Sequence, residues 1–442
     1  MTWSSATALR ESVVRGDVSP VEVVRECLAA IEARNGELNA FLALDADGAL
    51  AQARRAERAV AQGEAAGPLH GVPVGVKDVE TTAGLVTTYG SRRHRGHRPA
   101  ADSPLVAALR AAGAIVIGKT NTPAFALLGE TYNDLRDDCR NPCDLELTSG
   151  GSSGGSASAV AAGLVPLATG TDYGGSIPAP AAFCGVVGFK PSHERVARLC
   201  RPAGSGLFDA VGPLAGSVRD AALMVQAMDR WSGRSPLHSA PRPSLVGWSA
   251  DLGRHPVDAE VVEVAEQALG RLEEAGCRVV EATPSLPDPW DVFAPVSVTD
   301  LRLMLAQATG GSHEELATET LAELEAVPEL TRDDYVAAIQ RVQDFRSSAS
   351  AFFERVPVLA TPATAVAAFP VRRPPSRIAG RAVRPGWPSF MPFQVPWNVT
   401  GSPVLTVPAG RTADGRPVGL QLTASPHADA LLLGLGAAYE SA

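Results

Sequence analysis

The run Gly71-Val72-Pro73-Val74-Gly75-Val76-Lys77-Asp78 divides this chain of 442 residues into two kinds of pattern. Val72 to Val76 is apolar at nearly every position, as a strand buried on both faces would be, and it stops abruptly at Lys77-Asp78. Upstream the sequence reads as helices. Ser19-Pro20-Val21-Glu22 is a capping box with proline at the first helical position, and Val21, Val24, Leu28 and Ile31 follow at helical spacing. A second helical run covers Ala46 to Gln62. Downstream, strands are predicted at Ala114 to Ile117, Leu164 to Ala168, Leu245 to Trp248, Arg278 to Val280, Val356 to Ala360, Val404 to Val407 and Val418 to Leu422. Helices lie between them, among them Val257 to Ala275, with Val261, Val264, Ala268 and Leu272 on one face. Such alternation implies an α/β sheet covered by helices on both sides.

The expected organisation is an N-terminal helical segment, residues 1–65, packed on one large α/β domain, residues 66–442. A mostly helical stretch at about 283–350 breaks the alternation and reads as an insertion that shapes either a pocket or the surface. Val371 to Arg384, with five arginines among prolines, reads as a solvated loop. The aromatic run Trp387, Phe390, Phe393 and Trp397 suits either a pocket wall or core packing.

Composition narrows the function. The chain is 45% hydrophobic and 20% charged, with a net charge of −9. No long basic run is present, which argues against a nucleic-acid or anionic-membrane binder. No apolar segment is long enough to span a bilayer, and Met1 to Asp17 lacks the layout of a signal peptide. Six cysteines (Cys27, Cys139, Cys143, Cys184, Cys200, Cys277) are too few for a disulfide scaffold, so reduced thiols and a cytoplasmic location are expected. Cys139 and Cys143 have no second pair, so no metal site and no cofactor is expected. Of the 39 basic residues only Lys77, Lys119 and Lys190 are lysines. Lysine can lose its proton when buried and act as a base, whereas arginine cannot.

Two motifs mislead. Gly113 to Thr120 satisfies the phosphate-loop pattern, but its variable positions, Ala114-Ile115-Val116-Ile117, read as the strand itself, and Pro123 opposes a helix after Lys119. Gly150-Gly151-Ser152-Ser153-Gly154 satisfies the nucleophile elbow of α/β-hydrolases, for which His427 would be the late base, yet only a weak strand precedes it.

A longer constellation accommodates both stretches. It comprises Gly71 to Asp78, Gly118-Lys119-Thr120-Asn121-Thr122-Pro123, Gly150 to Ser156, Gly170-Thr171-Asp172-Tyr173-Gly174-Gly175-Ser176-Ile177 and Phe183 to Pro191. Val211 to Leu214 and the segments Gly401 to Gly410 and Pro417 to Leu422 continue it. In these motifs the chain closely resembles the amidase signature family of Ser-cisSer-Lys hydrolases. The resemblance implies a single α/β domain with a mixed β-sheet core between helices, and an amide hydrolase forming an acyl-enzyme.

By the same resemblance Ser176 is the nucleophile, Ser152 the bridging serine after a cis peptide bond from Gly151, and Lys77 the general base. Backbone N–H groups of Tyr173, Gly174, Gly175 and Ser176 would hold the oxyanion, with Ser153, Thr171 and Asp172 in support. An unperturbed lysine is neutral in roughly one molecule in 2,500 at pH 7, so burial is expected to lower the pKa of Lys77. Strand alternation should send Asp78 to the other face. Lys119 and Lys190 fall in family motifs without a chemical task and read as structural.

Two positions depart from the family pattern. Pro178 stands where members usually carry arginine, and Tyr173 is bulkier than usual. The alternatives are therefore an acyltransferase, a protein like the A subunit of glutamyl-tRNA amidotransferase, or a binding protein on an amidase scaffold without catalysis. The expected partner is a small-molecule amide, with no nucleic acid or membrane; a homodimer is left open.

Overall fold

The computed structural model describes residues 5–64, 67–196, 206–229, 234–238, 240, 242–384 and 386–442. The boundary expected at 65/66 and Cys200 lie outside them.

Eleven strands form one mixed sheet. They are β1 (Phe41–Leu44), β2 (Pro73–Lys77), β3 (Ile115–Thr120), β4 (Leu167–Asp172), β5 (Val187–Lys190) and β6 (Ala210–Ala215). β7 (Leu245–Trp248), β8 (Arg278–Glu281), β9 (Val358–Pro362), β10 (Val404–Arg411) and β11 (Pro417–Ala424) complete it. Their order across the sheet is β1-β3-β2-β4-β6-β5-β10-β11-β9-β7-β8. β3, β2 and β4 run parallel to one another, so Lys77, Thr120 and Asp172 end neighbouring strands at one end of the sheet. Crevices at the carboxyl ends of parallel strands are where α/β sheets bind ligands.

Consecutive side chains go to opposite cores, as strand geometry demands. Leu167 packs with Val74, Leu405 and Leu420 beneath helices Val218–Met228, Ala259–Glu274 and Asp429–Tyr439. Its neighbour Ala168 packs on the other face with Ile115, Ile117 and helices Pro20–Leu38 and Gly154–Ala161. Helix Ala259–Glu274 buries Val261, Val264, Ala268 and Leu272, the stripe read from the sequence. Ser19 caps helix Pro20–Leu38 through the N–H groups of Val21 and Glu22.

Every predicted strand is present, but β4 is displaced. Leu164 and Val165 lie in the approach to the strand, and it continues through Thr169, Gly170, Thr171 and Asp172. Those polar residues are fully or almost fully buried, so an apolar criterion ends the strand where the site begins. β1, β5 and β6 were not predicted. β6 contains Gly212 and Pro213, which ordinarily argue against a strand. Within 283–350 stand helices Pro289–Thr309 and Thr318–Ala326, and Arg332–Phe353 extends just beyond. Val371 to Arg384 is mostly solvated, with a small hairpin pairing Arg377–Ile378 with Arg381–Ala382. No helix among the described residues is long and apolar enough to cross a membrane.

Candidate active site

Lys77 is the last residue of β2 and is completely buried. Its backbone N–H donates to Thr169 Oγ1 on β4 at 2.8 Å. Its Nζ lies 2.8 Å from each of three hydroxyl oxygens, those of Ser152, Ser153 and Thr171. Ser152 follows a cis peptide bond from Gly151. Gly151 is needed for room: a Cβ there would sit 2.7 Å from backbone atoms of Glu130. Thr131 straddles this turn, donating its hydroxyl to Gly150 O and accepting from the N–H of Gly154. Ser153 precedes helix Gly154–Ala161 but does not cap it. Its hydroxyl is bonded to Lys77 and to the backbone of Thr171 instead.

Asp172, the end of β4, shapes the loop that follows. Oδ1 accepts from the N–H of Gly175 at 3.0 Å and Oδ2 from that of Ile177 at 2.8 Å, while Asn398 Nδ2 donates to Oδ1 at 2.7 Å. Folding around one carboxylate brings Ser176 to the wall of a cleft. Gly175 has φ +117°, and a Cβ there would come within 2.8 Å of Gln394 and Met391. Only glycine accommodates both demands. Of the four amides expected to face an oxyanion, that of Gly175 is thus committed to Asp172.

The cleft is open to solvent and, with the solvent space at its mouth, spans about 670 Å3. Tyr173, Gly174 and Ser176 form one wall, Leu127, Leu128 and Gly129 another, and Trp387 and Met391 a third. Phe293, Ser297, Asp300 and Leu301 complete it from helix Pro289–Thr309, and Glu323 from Thr318–Ala326. The largely apolar lining fits a small organic ligand. The aromatic run splits between its two expected roles: Trp387 reaches the cleft, whereas Phe390, Phe393 and Trp397 are core.

Asp78 points away from Lys77, as alternation requires. It accepts from the backbone and side chain of Thr88 and lies 3.9 Å from Lys119 Nζ. Lys119, also completely buried, donates to Glu80 O, to Thr82 Oγ1 at 3.0 Å and to Thr87 Oγ1 at 3.3 Å. Burial pushes Lys119 down to about 8, with Asp78 and Glu80 opposing. Burial likewise raises Asp78 to about 6 against the pull of Lys119, and raises Glu80 to about 7. Lys190 joins two main-chain carbonyls, Pro191 O and Ser402 O, and burial lowers it to about 8. Both lysines are buried and donate to main-chain carbonyls, Lys119 to hydroxyls as well, which fits the structural role read from the sequence.

Pro178 opens helix Pro178–Cys184. At that position the missing N–H costs nothing. Neither misleading motif finds its structure. Lys119 lies inside β3 with no loop before it, and the strand before Ser152, Asp144–Thr148, lies outside the main sheet, pairing with the two-residue strand Arg140–Asn141 and bridging to Pro370 through Leu147. His427 sits in a turn, its N–H on Ser192 Oγ. Among the described residues, no group of three or more His, Cys, Asp or Glu is placed to hold a metal ion. The sequence reading missed Thr131, Gln394 and Asn398. Gln394 and Asn398 left a trace, as two polar residues four apart in the otherwise apolar run Phe393 to Val399.

Residues 22–433 match the family model described as Amidase. An acylamidase of Rhodococcus erythropolis is 35% identical over 99% of this chain and 95% of its own length. The A subunit of a glutamyl-tRNA(Gln) amidotransferase from Roseiflexus sp. is 34% identical, covering 98% and 94%. The crystal structure of a bacterial aryl acylamidase of the amidase signature family superposes with a TM-score of 0.90 at 29% identity, covering 100% of this chain and 96% of that one.

Proposed function

Because the chain belongs to the amidase signature family and hydrolyses carbon–nitrogen bonds other than peptide bonds, we propose that it does so through an acyl-enzyme on Ser176. The observation that carries this reading is the contact between Lys77 Nζ and Ser152 Oγ, 2.8 Å apart and buried, behind a cleft whose wall contains Ser176. Hydroxyls can accept from an ammonium and donate to a neutral amine, so the nest around Lys77 suits a group that gains and loses a proton.

In the proposed cycle Ser152 relays the proton of Ser176 to neutral Lys77 while Ser176 Oγ attacks the amide carbon. Backbone N–H groups of Tyr173, Gly174 and Ser176 hold the oxyanion, and Gly175 contributes by fixing the turn through Asp172. The proton returns through Ser152 to the leaving nitrogen as the C–N bond breaks. Water then attacks the ester, giving up its proton along the same path and releasing the acid with Ser176 restored. Ser153 and Thr171 orient Lys77.

The helical stretch 283–350, read as an insertion in the 66–442 domain, supplies the far wall of the cleft. The first 65 residues are read as a segment packed on that domain. The five cysteines in described regions are all free, which supports a reducing, cytoplasmic setting. A homodimer is a question for sedimentation equilibrium.

The relatedness to an amidotransferase component favours one further reading, a protein like that A subunit, or an acyltransferase, using the same acyl-enzyme. A fluorophosphonate probe with peptide mass mapping tests the core of the proposal. Adduct on Ser176, lost in Lys77→Ala, is expected. A folded, unlabelled wild type would point to a catalytically silent scaffold, and labelling of Ser152 or Ser153 that depends on His427 would point to the hydrolase elbow. Product analysis with added hydroxylamine separates water from amine as acceptor.

A further inference from the structure

The two amides that flank Ser176, those of Gly175 and Ile177, are held by one carboxylate, Asp172, each on a different oxygen. Turning that carboxylate about its Cβ–Cγ bond moves both anchors of the nucleophile at once. What fixes it comes from far along the chain. Asn398, completely buried on helix Val395–Thr400, donates Nδ2 to Asp172 Oδ1 at 2.7 Å and to Phe208 O at 3.2 Å. The reverse orientation of the amide would set its oxygen against both acceptors, so its partners allow only this one.

The helix is itself tied down at both ends. Gln394, just before it, donates to Ala363 O and, at 3.1 Å, to Gln421 Oε1 on β11. At the other end Arg346 Nε of helix Arg332–Phe353 donates to Val399 O at 2.8 Å. Asn398 thus links the Ser176 loop to both the sheet and the helical stretch at 283–350. Its Oδ1 finds no donor among the described residues. An orphaned acceptor in a dry interior costs stability that a leucine of similar size would not. Packing alone therefore does not account for asparagine here; the donor aimed at Asp172 does.

We infer that Asn398 is a positioning residue for the reaction: by holding the Asp172 carboxylate it sets where Ser176 and the backbone amides beside it stand. It does so as a neutral donor, and the hydrogen bonds that Asp172 accepts among the described residues all come from neutral N–H groups. Asn398 does not line the cleft and touches no reacting atom. The inference rests on the acyl-enzyme reading and adds to it the group that fixes the nucleophile's loop.

The test measures the rate of Ser176 labelling by a fluorophosphonate and the turnover of an anilide, with the fold checked by near-ultraviolet circular dichroism. In Asn398→Leu both the labelling rate and kcat should fall by about a hundredfold with KM little changed, because a displaced nucleophile is felt in the transition state and not in substrate binding. Asn398→Asp supplies a readout that packing does not move. Two carboxyl groups this close share one proton. At low pH the introduced carboxyl keeps it, donates to Asp172 in place of the amide and preserves the loop. As pH rises the proton leaves, and the like charges turn Asp172 away. Activity relative to wild type should therefore fall about tenfold or more between about pH 6 and about pH 9. Wild type is measured at each pH because other charges face the pair: Lys190, which Asp172 attracts, Lys77 on the neighbouring Thr171, Arg346 at the helix end and Asp209 beside Phe208. Wild-type kcat and labelling in folded Asn398→Leu, a loss confined to KM, a ratio flat with pH in Asn398→Asp, or losses that track unfolding in both variants overturn the inference and leave a labelled wild type untouched. Should Asn398→Leu fail to fold, the pH ratio of Asn398→Asp decides. Wild-type protein without label on Ser176 sinks the acyl-enzyme reading beneath it.

Discussion

Lys77 and Lys119 stand on adjacent parallel strands, Lys77 closing β2 and Lys119 one residue from the end of β3, and both are completely buried. Their surroundings differ in kind. Lys77 Nζ is met by three hydroxyls, whereas Lys119 Nζ meets a main-chain carbonyl, two hydroxyls and, at 3.9 Å, a carboxylate. A carbonyl or an ionised carboxylate can only accept, so it satisfies an ammonium and not the lone pair of an amine. Hydroxyls serve either state. Burial moves Asp78 up to about 6 and Lys119 down to about 8, each shift opposed by the attraction of the other group. Burial alone therefore does not distinguish the two lysines; the hydrogen-bonding character of their neighbours does, and it is that of Lys77 that suits the proposed base.

The largest effect that can break this comparison is on turnover. Lys77→Arg keeps the charge but cannot shed it, so kcat/KM for an anilide should fall by about a thousandfold or more. Measurable wild-type-like turnover in a folded Lys77→Arg protein would remove Lys77 from the role of base.

Stability gives the next test, with the order of the two lysines reversed. Lys119→Met strands Asp78 and the Glu80 carbonyl in a dry interior and should cost about 3 kcal/mol or more in urea unfolding. Lys77→Met leaves three hydroxyls that can bond to one another and should cost about 1 kcal/mol. Equal losses would show that both lysines are structural.

The smallest effect is on pH dependence. Burial pushes Glu80 up to about 7 from an ordinary 4.5, so between those values the native state is expected to hold a proton that the unfolded chain has released. Its contribution is fully present below about 4.5 and is lost as pH rises through 7. Unfolding free energy should therefore decline across that window, by at most about 1.4 kcal/mol per pH unit for this one group. Glu80→Gln should flatten the decline, read from urea midpoints at a series of pH values. A slope unchanged in the variant would place its origin elsewhere, Asp78 being the next carboxylate to test.

How far the sequence could be read follows the same division between apolar and polar burial. Strands such as Leu245–Trp248 were legible because both faces are greasy, and helix Ala259–Glu274 because only one is. β4 was half legible: its apolar start announced a strand, while Thr169 to Asp172 looked like loop because their burial is compensated by partners distant in the chain. Asn398 lies 226 residues from Asp172, a separation no local pattern reports. The cleft wall on Pro289–Thr309 was similarly hidden, since a helical period shows that one face packs but not what it faces.

The sequence by itself determined the α/β class, the alternation that builds the sheet, and the family resemblance from which Lys77, Ser152 and Ser176 were singled out. It did so because strand and helix periods and short glycine-rich motifs are local properties of a chain. Tertiary structure decided the rest. It separated one lysine met by three hydroxyls from two that donate to main-chain carbonyls as well or instead, committed the Gly175 amide to Asp172, and placed aromatic rings and two carboxylates around one cleft. Those distinctions arise only when strands and helices far apart in sequence bring their side chains together in a dry interior, where the partner rather than the residue type sets what a group can do.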